Sequence, residues 1–80
     1  MHAMESVGSG LFRYRGYRVG VASARTASGR WTCVFTIAPQ GRSIAIVRCD
    51  VDGEFQTRSM AEAQALCDAT LLINARQAVH

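Results

Sequence analysis

The sequence predicts an α+β fold, a three- to four-stranded antiparallel meander with one C-terminal helix packed on one face. Three observations lead there. Residues 17–21 and 31–37 alternate apolar and other side chains with the period of two that a half-buried strand requires. Glycine-containing stretches, "RTASGR", "APQGR" and "DVDGEF", punctuate the alternating runs at hairpin-like spacing. From Met60 to Gln77 there is neither proline nor glycine, and alanine, leucine and glutamine are frequent.

Size sets the scale of the core. The chain has 80 residues, 49% of them apolar and 19% charged, which reads as one globular domain rather than a disordered segment. A domain this small buries only about 60% of the surface its unfolded chain exposes. The core is therefore thin, and a partner surface would support it. A flexible tail is expected over 1–10, where "SVGSG" has little to bury. The domain is expected over 11–80.

The first strand is expected over 11–24. Tyr17, Val19 and Val21 share one face, but Phe12 and Tyr14 stand in the opposite phase. A bulge at Gly16 would reconcile them. It would place Phe12, Tyr14, Tyr17, Val19 and Val21 inward and Arg13, Arg15 and Arg18 outward together.

The second strand is expected over 30–38, with Trp31, Cys33, Phe35 and Ile37 inward. A three-residue loop at 26–28 would set Ser23 opposite Trp31, Val21 opposite Cys33, Val19 opposite Phe35 and Tyr17 opposite Ile37. A four-residue loop at 39–42 starts a third strand over 43–50, with Ile44 opposite Ile37 and Ile46 opposite Phe35. A short fourth strand follows over 54–57.

The helix is expected over 60–77. In "SMAE", Ser59 would cap the start and Glu62 would reach back. Met60, Ala63, Leu66, Cys67, Thr70, Leu71 and Asn74 follow the i, i+3, i+4, i+7 spacing of a buried stripe. Leu72 and Ile73 stand to one side of it. The sheet face away from the helix would carry Arg18, Gly20, Ala22, Thr32, Val34, Thr36, Ala45, Val47 and Cys49. That face is drier than a solvated one needs to be. It points to self-association through Ala22, Thr32, Val34, Val47 and Cys49.

No catalytic, cofactor or metal signature stands out. His2 and His80 lie at the two ends, poor places for a held general base. Asp50, Asp52 and Glu54 resemble the opening of a calcium loop, but the twelfth position from Asp50 is Ala61, where such a loop needs a bidentate glutamate. Asp-Gly turn chemistry accounts for the stretch without metal. Cys33, Cys49 and Cys67 are odd in number and show no CxxC spacing, so neither a disulfide framework nor a zinc site is indicated. Cys67, on the expected buried stripe, reads as inert packing. Absence of a signal-peptide pattern and of any bilayer-length apolar run points to a cytoplasmic protein with no membrane partner.

All nine basic side chains are arginine, and the net charge is +3. Arg13, Arg15 and Arg18, with Arg25 and Arg30 at the first hairpin tip, could meet the phosphates of RNA or DNA. A charge of only +3 is a weak footprint for nucleic acid, so a GC-rich codon bias is the favoured account of arginine over lysine.

The stretches "YRGYRVGVASA", "GRWTCVFTI" and "GEFQTRSMAEAQALCDATLLIN" together are similar to short uncharacterised proteins of high-GC proteobacteria, Burkholderia among them. The last of them also resembles the end of HicB-like antitoxins, without their acidic, proline-containing stretch or a DNA-binding appendage. The first resemblance implies a small intracellular protein and no known chemistry. The reading is a non-enzymatic domain that works by protein contact, as a homodimer through the open sheet face or with another protein. Nucleic-acid binding is the alternative, and a toxin–antitoxin-like partner module a further one.

Overall fold

The computed structural model describes residues 4–42 and 44–78. The fold is α+β: one open antiparallel sheet in the order β1-β2-β3-β4-β5, followed by one helix. The strands are β1 (Glu5–Gly8), β2 (Leu11–Tyr14), β3 (Tyr17–Arg25), β4 (Trp31–Pro39) and β5 (Val47–Asp50), and the helix is α1 (Arg58–Gln77). The sheet has five strands rather than three to four, for two reasons. Residues 5–8, expected in a flexible tail, pair with β2. The strand expected over 11–24 is two strands.

The split falls at "YRGY". Tyr14 pairs with Tyr17, leaving Arg15 and Gly16 as a two-residue hairpin turn. Both have positive φ, 50° and 84°, as the type I′ turn between right-twisted strands demands. Gly16 is therefore the corner of a hairpin and not a bulge. The inward grouping survives this correction. Directly opposed residues in an antiparallel pair share a face, so Tyr14 lies beside Tyr17 and Phe12 beside Val19. Tyr14 and Val19 are buried, and Phe12, Tyr17 and Val21 pack against them.

The β3–β4 register differs from expectation by two residues. Ser23 faces Cys33, Val21 faces Phe35, Val19 faces Ile37 and Tyr17 faces Pro39. The loop runs over 27–29, one residue later than expected, because Thr26 still pairs with Arg30 through a 2.7 Å backbone bond. An even shift keeps every side chain on its face.

β5 shifts by three, and an odd shift inverts the faces. Val47 faces Ile37 and Cys49 faces Phe35. Both pack against the core, while Ile44 and Ile46 are 78% and 44% exposed. Of the strand expected over 43–50, only Val47–Asp50 forms a strand among the described residues, and Ser43 lies outside them. The strand expected over 54–57 reduces to one bridge between Trp31 and Phe55.

α1 starts two residues early. Thr57 is the N-cap, its hydroxyl accepting from the Met60 amide at 3.1 Å. Ser59 lies inside the helix, and Glu62 instead accepts from Ser23 Oγ at 3.4 Å. The buried face is Ala61, Ala65, Ala69 and Ile73, each four residues from the last. Met60, Ala63, Cys67 and Leu71 of the expected stripe point to solvent. Three alanines let the helix axis approach a sheet face already filled by Phe35, Ile37 and Cys33. No helix among the described residues is long and apolar enough to cross a membrane.

Candidate functional site

The sheet face away from α1 is uncovered. Strand alternation places Arg13 of β2, Gly20, Ala22 and Ala24 of β3, Thr32, Val34, Thr36 and Ala38 of β4, and Arg48 and Asp50 of β5 on it. Small side chains at its centre make it concave. Gly20, Ala22 and Ala24 form a floor bordered by Val34, Thr36 and Arg48, an open hollow of about 400 Å³. A second hollow of about 190 Å³ continues it past Gly20 and Thr36 to Leu11, Arg18 and Ala38. Gly20 has no room for more: a Cβ there would lie 2.8 Å from Thr36 Oγ1.

The expected self-association face is divided by the structure. Ala22, Thr32 and Val34 share the open face. Val47 and Cys49 turn to the core, and Arg48 and Asp50 take their place. The cause is the odd register shift of β5. A signal for it exists in the sequence: Val47, Cys49 and Val51 alternate with Arg48 and Asp50. Ile44 and Ile46 carry the opposite phase, so two apolar phases overlap in this stretch.

The arginine strip also comes apart. Arg13 and Arg18 face one another across β2 and β3. Like charges so placed repel, but Arg13 ion-pairs with Glu5 and Arg18 donates through Nη2 to the Arg42 carbonyl. The buried Nε of Arg18 has no hydrogen-bond partner among the described residues. Arg15 turns away from them to the end of the helix, where it donates to Asn74 Oδ1 at 2.8 Å. Tyr14 donates to the same oxygen at 2.9 Å. Arg25 and Arg30 stand at the far end of β3. Arg25 lies 5.7 Å from the Trp31 ring centroid, where Arg58 also sits at 4.7 Å. Arg30 donates to the Glu54 carbonyl at 3.1 Å. The five candidates thus occupy three places, and Arg48, unforeseen, joins Arg13 and Arg18 on the open face.

Burial, and then the Glu62 charge, push the Cys33 thiol above its ordinary value. Such a thiol is a poor nucleophile at neutral pH. Cys67 is exposed, not on a packed stripe, and Cys49 is half-buried; all three cysteines are free. Among the described residues no group of three or more His, Cys, Asp or Glu side chains could hold a metal. His2 and His80 lie outside the described residues.

Residues 8–80 match a family described as a domain of unknown function, DUF6566. The chain belongs to the DUF6566 family. No curated protein and no solved structure matches it. The match spans the sheet from the end of β1 onward and the whole helix, so the open face belongs to the DUF6566 domain as a unit.

Proposed function

We propose that this DUF6566 domain is a non-enzymatic protein-contact module that works as a homodimer, its open sheet face receiving an apolar protrusion of a partner protein. One observation carries the reading: the uncovered face is a continuous hollow with a small-residue floor and arginines at its margin. Two concave faces set against one another leave a void, which protein interfaces avoid. The hollow therefore suits a convex partner better than a second copy stacked face to face. Arg18 and Arg48 at the rim favour acidic groups or carbonyls flanking the protrusion, and a partner acceptor would satisfy Arg18 Nε. The thin core supports self-association through another surface, because large apolar side chains remain exposed, Ile44 at 78% and Leu71 at 63% among them. Three free cysteines suit a cytoplasmic setting.

Affinity capture from the native cell tests the contact, using wild type beside Ala22→Phe and Val34→Asp. The expected result is one protein retained by wild type and lost by both variants. Retention unaffected by both would remove the open face as the contact. The alternative, nucleic acid on Arg13, Arg18 and Arg48, is favoured by their shared face. It requires RNA or DNA retardation at low salt that is lost in Arg18→Ala and Arg48→Ala. The likeness of the last segment to HicB-like antitoxins adds one partner class, a small toxin. An adjacent toxin gene would select it.

A further inference from the structure

We infer that the second copy joins at the β5 edge, β5 pairing antiparallel with β5 of its twin about a two-fold axis through Cys49. This rests on the homodimer reading and names its surface. β5 ends the sheet, so one side of it has no neighbouring strand. The Val51 amide bonds to the Cys33 carbonyl at 2.9 Å, in the same register as the β4–β5 ladder. Antiparallel alternation then turns the backbone groups of Val47 and Cys49 toward β4 and those of Arg48 and Asp50 outward. Among the described residues, neither of these two has a side-chain hydrogen bond or ion pair.

Edge strands are normally blunted by charge, which deters a second strand. Here the two outward residues carry opposite charges and are spaced symmetrically about Cys49. Pairing centred on Cys49 sets Arg48 opposite Asp50 of the twin and Asp50 opposite its Arg48. The same register makes these the hydrogen-bonded pairs, since they are the residues whose amides and carbonyls point outward. Val47 then meets Val51 of the twin. Charge, hydrogen bonding and apolar matching agree in one register, and the symmetry makes the contact self-complementary. A two-fold axis normal to the sheet keeps both helices on one side and merges the two open faces into one surface. The ladder is short, so the dimer is weak and concentration-dependent.

Cys49 reports the register. Directly opposed residues of a non-hydrogen-bonded pair lie about 4.5 Å apart at Cα, within the range a disulfide bridges. In the full chain carrying Cys33→Ser and Cys67→Ser, diamide should oxidise two Cys49 thiols to one disulfide, the diamide taking up both hydrogens as it is reduced to the hydrazide. The product is a dimer that reductant cleaves. Sedimentation supplies the second measurement. Asp50→Arg sets arginine against arginine, and Arg48→Asp sets aspartate against aspartate. Each should weaken dimerisation at least about tenfold. Mixing the two variants should restore a heterodimer, which a misfolded variant could not do. A wild-type dimer with no Cys49 cross-link and no response to either reversal would overturn the edge while leaving the homodimer standing. A wild-type monomer at high micromolar concentration would end both.

Discussion

Asn74 shows how single side chains tie the sheet to the helix. Its Oδ1 accepts from both Tyr14 and Arg15, while Gln77 reaches the Arg15 carbonyl at 3.4 Å. The hairpin corner is thereby held to the last turns of α1. Arg15 keeps a left-handed φ in that corner, and Gly16 beside it needs the same region with open space around it. Gly16→Ala should thus cost only the backbone penalty, roughly 1–2 kcal/mol, read as a lower urea midpoint with an unchanged slope. Cys33 carries a pH signature. Its thiol titrates higher in the folded chain than in the unfolded one, so its contribution is intact below the ordinary value of 9.0 and is lost as pH rises through the raised one. Denaturation of wild type and Cys33→Ala at neutral and alkaline pH should show the steeper alkaline fall in wild type. Equal falls would mean that the thiol releases its proton over the same pH range in both states, with no shift on folding.

At the scale of elements, α1 inverts the usual guide that the larger apolar residues face the core. Ala61, Ala65 and Ala69 are fully buried while Met60 and Leu71 are half or more exposed. Closeness of approach, not side-chain hydrophobicity, selects the face. The consequence is an asymmetry between two substitutions on one helix. Ala65→Leu should destabilise by about 1–3 kcal/mol through overpacking. Leu71→Ala should stay within about 0.5 kcal/mol of wild type, as surface changes do. Thermal or chemical denaturation of both separates this geometry from the stripe built on Leu66, Cys67 and Leu71, which predicts the opposite order. The outward face of α1 carries no charged side chain among Met60, Ala63, Cys67 and Leu71.

For the whole molecule, an elongated body of 42 × 23 × 23 Å exposes one sheet face, the two edge strands β1 and β5, and one helix face. Folding coupled to dimer formation makes the midpoint depend on concentration. The Tm should rise with protein concentration for wild type and stay flat for Asp50→Arg. A Tm independent of concentration in both would mean that the copies do not stabilise one another.

The chain by itself determined the kinds of element and their order. Turn residues, strand alternation and helix propensity act over a few neighbours, so "RTASGR", the Trp31–Ile37 alternation and the glycine-free helix are legible where they stand. It also determined which residues of β2, β3 and β4 share a face, because the hairpin and the two-residue shift both preserve parity. Tertiary structure alone decided the rest. Whether Arg15 and Gly16 turn the chain or bulge it depends on a strand lying alongside. Whether Ile46 or Val47 enters the core depends on register against β4, and both phases are apolar. Which side of α1 is buried depends on the room above Phe35 and Ile37. In each case two local patterns of similar strength compete, and only the packing of distant segments breaks the tie. The open hollow and the self-complementary edge follow from those same long-range choices.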